Sequence, residues 1–209
     1  MNESEVLDLL QKVGAFRSGH FVFTSGLHSD SYVNKDALFA HPNEVSQLCR
    51  AFAERFADAH VDAVLAPAVG GVVLSQWTAY HLGHITGREV YGIYADKDDN
   101  GGFVVKRGYD ALIKGKNVLV VDDLTTTGGS IKKVVEAARA VGANVVSVAV
   151  IANRGDVTEE QVGNPDQFVA LVNIHLESWP ADDCDLCKKG IPVNTDVGHG
   201  REFVAKKGH

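Results

Sequence analysis

Residues 117–130 read NVLVVDDLTTTGGS, and no other segment restricts the fold as tightly. Val118, Leu119, Val120 and Val121 form a continuous apolar run, the pattern of a strand buried on both faces in a parallel sheet. Asp122 and Asp123 stand where that strand should end. Thr125, Thr126, Thr127, Gly128, Gly129 and Ser130 follow, and a helical pattern over 131–141 begins at Ile131. A parallel strand that passes through a polar loop into a helix commits the chain to an α/β arrangement. The loop has a chemistry as well. Hydroxyls, unpaired N–H groups and the dipole at a helix N-terminus all favour a phosphate. Adjacent carboxylates are wrong for the phosphate itself but right for accepting hydrogen bonds from sugar hydroxyls. Together they suit a ribose 5-phosphate. A plain helix cap needs one Ser or Thr, whereas these nine residues hold four hydroxyls, two glycines and two acids.

The same alternation runs along the chain. A helix is predicted from about Ser4, with Leu7, Leu9, Leu10 and Val13 as its apolar positions. Residues 20–34 read as two short extended pieces around a turn at Ser25-Gly26. A helix over about 43–59 places Val45, Leu48, Cys49, Phe52 and Phe56 at helical spacing. Next come a strand at 61–66, the loop Pro67–Gly71 and a helix through Leu82. A strand near 89–94 leads into the loop Ala95–Gly102, a strand at 144–152 ends at Asn153-Arg154, and 168–174 reads as the last strand. The remaining tail is polar and reads as irregular. This order predicts a mostly parallel sheet with helices on both faces and a ligand site beyond the carboxyl ends of its strands. The Pro67–Gly71 loop, the Ala95–Gly102 loop, the Thr/Gly loop and Arg154 should therefore share one rim. Residues 14–34 and the tail fall outside the alternation and are expected to cover it.

At 209 residues, one α/β domain with a small appendage is the natural size. The net charge of −7 disfavours general nucleic-acid binding, which depends on Lys and Arg neutralising phosphates. With 45% hydrophobic and 22% charged residues, wholesale disorder is excluded as well. No apolar run reaches the length of a membrane span, and MNESEVLDLL lacks a basic-then-apolar leader, so a cytoplasmic location is expected. Cys49 reads as a core residue. Cys184 and Cys187 form a lone CxxC; His199 offers a third metal ligand, no fourth is evident, and the default is a tail turn with two thiols. GYDALIKGKN fails as a Walker loop because its glycines are too widely spaced and Asn117 follows Lys116.

The segment VLVVDDLTTTGGS resembles the phosphoribosyl pyrophosphate (PRPP) signature of type I phosphoribosyltransferases. GAFRSGHFVFTSGLHSDSYVN resembles the N-terminal hood of the orotate phosphoribosyltransferases, PAVGGVVLS their pyrophosphate loop and CDLCKKGIPV the end of a shorter bacterial and archaeal branch. YADKDDNGG stands where that family has its mobile catalytic loop, and Arg154 where it has an orotate-binding arginine. The resemblance implies a single phosphoribosyltransferase domain over 1–209, its parallel sheet flanked by helices in a core of about 40–160, with a hood from about 14–36 and 165–209. It implies a pentosyltransferase that moves ribose 5-phosphate from Mg–PRPP to orotate, giving orotidine monophosphate and pyrophosphate.

By the same resemblance, Asp122, Asp123 and Lys97 are the catalytic residues. PRPP would lie on Ala68, Val69, Gly70 and Gly71 and on Leu124, Thr125, Thr126, Thr127, Gly128, Gly129 and Ser130. The base would meet Thr24, Ser25, Thr126 and Arg154. Mg²⁺ would be held by PRPP and water rather than directly by protein, and the enzyme would be a homodimer with the Lys97 loop serving the neighbouring subunit. The chain departs from the family at Thr24 and Gly70, where many members have lysines, and keeps only Lys97-Asp98 of the loop motif. Lys106 and Arg107 stand either as substitutes for the missing cations or as an exposed charge pair. A purine or another pyrimidine remains the alternative base, and a PRPP-sensing regulator without turnover is a more distant reading.

Overall fold

The computed structural model describes residues 1–207. Helix α1 (Glu3–Lys12) is fixed at its start by a capping box: Glu5 N–H donates to Asn2 Oδ1 (3.0 Å) and Asn2 N–H to Glu5 Oε2 (2.8 Å). Strands β1 (Phe16–Val22) and β2 (His28–Val33) pair antiparallel as a hairpin of their own. Helices α2 (Lys35–Phe39) and α3 (Pro42–Arg55) lead into the core, Pro42 occupying the first turn, where a missing N–H costs no bond. Then follow β3 (Ala63–Pro67), α4 (Gly71–Thr86), β4 (Tyr91–Lys97), β5 (Phe103–Val104) and α5 (Tyr109–Ile113). The chain continues through β6 (Asn117–Thr125), α6 (Gly129–Ala140), β7 (Asn144–Asn153), a 3-10 turn at Glu160–Val162 and β8 (Gln167–Asn173), and reaches α7 (Asp185–Lys188) and α8 (Gly200–Lys207).

The main sheet has the order β5-β4-β3-β6-β7-β8, parallel throughout except where β5 pairs antiparallel with β4. Its central strands bury both faces, which is why they read as unbroken apolar runs. Along β6, Leu119 and Val121 join a core with Val6, Phe52 and Leu74, under α1, α3 and α4. Val118 and Val120 face the opposite core, with Ile131, Val134 and Val135 of α6. The alternation of side chains along a strand sorts the run between two helical layers. Cys49 is fully buried in the first core, as its helical spacing indicates, and burial pushes its thiol up to about 12.

Several boundaries differ from the expected ones for identifiable reasons. Strand β6 continues to Thr125, so both acids lie within the strand instead of just after it. Strand β8 is the sheet edge, and the core therefore extends through residue 173 instead of stopping near 160. The hood is smaller than expected: the β1–β2 hairpin together with the tail from about Trp179. That tail is not irregular. Trp179 and His28 exchange backbone hydrogen bonds (2.8 and 2.9 Å), and Asn194 and His199 donate to the carbonyls of His20 and Val22. Among the described residues, no helix is long and apolar enough to cross a membrane.

Candidate active site

Strands β3, β4, β6 and β7 run parallel, so their carboxyl ends lie on one rim. A cleft of about 210 Å³ opens there, lined by Lys35, the segment Pro67–Gly71, Lys97, Phe103, Asp122, Asp123 and Ser130. Residues distant in sequence, read separately as acid pair, pyrophosphate loop and loop lysine, thus surround one space. Gly71 is required where the loop enters α4: a Cβ there would sit 2.9 Å from Ala66 Cβ. Val69 projects into solvent with 85% of its surface exposed, so this loop presents backbone more than side chain to the cleft.

Asp122 and Asp123 are almost completely buried, at 9% and 5% exposure. The Asp123 N–H donates to Asp122 Oδ1 at 2.9 Å, and Lys35 Nζ lies 3.4 Å from Asp123 Oδ2. Burial, and then the charge of Asp123, push the Asp122 carboxyl up to about 7. Burial also raises Asp123, opposed by the Lys35 ammonium. Two adjacent desolvated carboxylates strain to hold a full double negative charge, and donors that hydrogen-bond them or a cation would relieve it. Lys35 was not among the residues singled out from sequence. Its position directly after the second hood strand, in NKD, was the available signal.

The loop after β6 is built for close approach. Thr125 Oγ1 accepts from the Gly128 N–H (3.1 Å), folding the turn back on itself, and Gly128 takes φ +77°. A Cβ on Gly128 would run into the Gln161 carbonyl, and one on Gly155 into the Thr126 carbonyl. The Arg154 N–H donates to the Thr125 carbonyl at 2.8 Å. The loop of Leu124–Ser130 and the start of the segment after β7 are therefore pressed together. Only Ser130 of this loop lines the 210 Å³ cleft, while Thr126, Thr127 and Gly129 are exposed outside that lining.

Arg154 lines a second cleft of about 390 Å³ with Phe23, Thr24, Ser25, Tyr32, Val33, Gly198 and His199. Its guanidinium lies over the Phe23 ring at 5.7 Å. His199 Nδ1–H donates to Glu202 Oε2 (2.6 Å), which leaves Nε2 to accept from the Thr24 hydroxyl (3.0 Å) when the ring is neutral. Thr24, Ser25 and Arg154 thus line one cleft. Thr126 is not among the lining residues; its backbone stands behind Gly155. Phe23, Tyr32 and His199 were missed because no local pattern ties a tail histidine to a hairpin turn.

Lys97 stands at the end of β4, paired with Phe103, and not on an open loop. Asp98 Oδ1 accepts from the N–H groups of Asn100 (2.8 Å) and Gly102 (2.7 Å), and Lys133 Nζ reaches the Gly101 carbonyl (2.7 Å). The turn is short, closed on Asp98 and tethered to α6. Lys97 also faces the same cleft as the acids of its own chain. Arg107 pairs with Asp96 (3.1 Å) and lies over Tyr94, away from the cleft lining, so Lys35 and not Arg107 is the additional cation there.

Comparison with known proteins gives a consistent picture. Residues 34–180 match the phosphoribosyl transferase domain family. The chain is 35% identical over 193 residues to the orotate phosphoribosyltransferase of Caldanaerobacter subterraneus subsp. tengcongensis, covering 92% of this chain and 96% of that one. It is 37% identical over 196 residues to the orotate phosphoribosyltransferase of Pelotomaculum thermopropionicum, covering 92% and 96%. The crystal structure of orotate phosphoribosyltransferase from Aeropyrum pernix superposes with a TM-score of 0.63 at 26% identity, over 81% of this chain and 93% of that one.

Proposed function

The chain belongs to the type I phosphoribosyltransferase family, within which it is a homologue of the orotate phosphoribosyltransferases, and we propose that its two neighbouring clefts divide the work of that transfer. The reaction moves ribose 5-phosphate from PRPP to a ring nitrogen of orotate and releases pyrophosphate, a step of pyrimidine biosynthesis. The C1–O bond breaks with its electron pair leaving on pyrophosphate, and the C1–N bond forms as the nitrogen gives up its proton. Positive charge builds on the ribose ring while negative charge builds on the leaving group, so the protein acts mainly by placement and by charge.

In this reading Asp122 and Asp123 accept hydrogen bonds from the ribose hydroxyls, and their charge favours the cationic ring. Thr125–Ser130 hold the 5-phosphate at the start of α6, where N–H groups and the helix dipole favour an anion. Val69–Gly71 turn backbone N–H groups to pyrophosphate beside Ala68, whose own N–H donates to the Ala95 carbonyl, and Lys97 and Lys35 neutralise it as it departs. The cleft fits Mg²⁺ carried on PRPP: two carboxylates and a hydroxyl give it an oxygen-rich lining, and this ion keeps several waters and binds through substrate phosphates without needing direct protein ligands. When bound with PRPP, Mg²⁺ supplies further neutralisation of the phosphates. Arg154, backed by Phe23, offers a planar fork suited to the carboxylate of orotate, with Thr24 and Ser25 beside it.

We place Lys97 in the site of its own chain, because it lines the cleft that holds that chain's acids. A homodimer fits the exposed apolar Val73, Tyr80 and Ile85 along α4. Charged phosphorylated substrates fit a cytoplasmic location. The convergence of acids, glycine loop and lysine on one cleft carries the reading. Purified protein with Mg–PRPP and a panel of bases tests it: pyrophosphate release is expected with orotate and not with uracil or purines. Release with a purine alone would leave the transferase and remove the orotate assignment.

A further inference from the structure

Away from both clefts, the hood gathers four soft donors from three segments. His20 comes from β1, His28 from β2, and Cys184 and Cys187 from the start of α7. Their ligand atoms all lie within 4.8 Å of one another. His20, His28 and Cys184 are buried and Cys187 is half-buried. We propose that this cluster is a structural Zn²⁺ site that fastens the C-terminal tail to the hood hairpin.

The geometry matches a tetrahedron. Zn–N bonds of about 2.0–2.1 Å and Zn–S bonds of about 2.3 Å place neighbouring ligand atoms roughly 3.3–3.8 Å apart. Cys184 Sγ is 3.6 Å from His20 Nε2, Cys187 Sγ is 3.8 Å from the same atom, and Cys187 Sγ is 3.5 Å from His28 Nδ1. The two imidazole nitrogens, 2.8 Å apart, would separate by roughly half an ångström to admit the ion. Cys184 is the N-cap of α7 and Cys187 lies in its first turn, so the CxxC spacing brings both sulfurs to one side. His20 Nδ1 lies 2.7 Å from the Ile191 carbonyl. A carbonyl only accepts, so the proton is on Nδ1 and Nε2 presents its lone pair to the cluster. This outer hydrogen bond is the usual means of orienting a metal-bound imidazole.

Charge and donor softness agree. Two thiolates and two neutral imidazoles balance one divalent cation, so a buried site carries no net charge. Thiolate and imidazole together select zinc over magnesium or calcium. From sequence the CxxC lacked partners, since His20 and His28 precede it by more than 150 residues, and His199, the one third ligand the sequence offered against a default of two free thiols, pairs instead with Thr24 and Glu202. The site would also serve the base cleft. The β1–β2 turn that joins His20 to His28 carries Phe23, Thr24 and Ser25, and the tail that carries the cysteines also brings His199 to that cleft.

Elemental analysis of the full-length protein tests the proposal, purified under reducing conditions without a chelator or an immobilised-metal column. One zinc per chain is expected, falling at least fivefold in Cys184→Ser and in Cys187→Ser. Should those variants not fold, wild-type protein stripped of metal and reconstituted with Co²⁺ decides the matter. Intense visible bands of four-coordinate cobalt and a thiolate-to-cobalt charge-transfer band are expected, both abolished by added Zn²⁺. Less than a tenth of an equivalent of zinc together with no such bands would overturn the site. So would a Cys184–Cys187 disulfide that persists under those conditions, or full zinc retained in folded variants of both cysteines.

Discussion

At the scale of single residues, the most loaded group is Asp122. Its folded-state carboxyl is raised to about 7 from 3.8, first by burial and then by the charge of Asp123. A raised carboxyl means that the folded protein holds a proton the unfolded chain has released. This group's contribution therefore turns against folding as pH rises from about 4 to 7, and the penalty is complete above 7. Asp122→Asn removes that penalty while its amide oxygen keeps the Asp123 N–H. The variant should melt higher than wild type at pH 8, by a few degrees for each ~1 kcal/mol, with the gap closing at pH 4. A gap of equal size at both pH values would contradict the assignment. PRPP affinity should suffer in the opposite sense. Hydrogen bonds to charged groups contribute roughly 1.5–3 kcal/mol, so replacing both acids by Asn should weaken PRPP binding tenfold or more, measured by calorimetry on folded protein. Arg154 makes a complementary case. Arg154→Leu should abolish discrimination between orotate and uracil in kcat/KM while PRPP affinity stays within about twofold; loss of PRPP affinity instead would place Arg154 on the phosphate side.

At the scale of elements, the apolar runs and helical stripes were legible because burial writes them directly into the sequence. Strands β3, β6 and β7 were located to within a few residues, and the acids, the glycine loop and Arg154 were assigned to one rim from strand polarity alone. Short elements were not legible. Helices α2, α5 and α7 are four or five residues long, and β5 has two, too few for a period to register. The segment Ala95–Gly102 read as an open loop because its aspartates and glycines are turn formers. Tertiary pairing with Phe103 and the Lys133 tether convert it into a closed hairpin. That hairpin carries a consequence for Lys97. Lys97→Ala should lower kcat far more than it raises KM for orotate, since the charge matters most as pyrophosphate leaves. Mixed dimers of Lys97→Ala subunits with Asp122→Asn/Asp123→Asn subunits should regain no activity, because each defect lies in its own chain's cleft. Recovery would show the lysine crossing to the neighbouring subunit.

At the scale of the whole molecule, the two clefts face one rim but are built differently. The cleft proposed for PRPP comes from the ends of sheet strands, held by two cores, and its residues were readable as a motif. The cleft proposed for the base is assembled from a hairpin turn, a strand end and a tail residue nearly 200 positions along the chain, so only Thr24, Ser25 and Arg154 of its lining could be named in advance. Phe23 and His199 become visible only once the tail is laid along β1. Transfer of ribose 5-phosphate to orotate requires that these two halves act on one bond. PRPP labelled with ¹³C at C1 and orotate labelled with ¹⁵N, incubated with the protein and Mg²⁺, report on that bond by NMR. The predicted result is a one-bond ¹³C–¹⁵N coupling in the product, accumulating in step with pyrophosphate. Pyrophosphate released with the label left in free ribose 5-phosphate, or no turnover of either substrate, would contradict it.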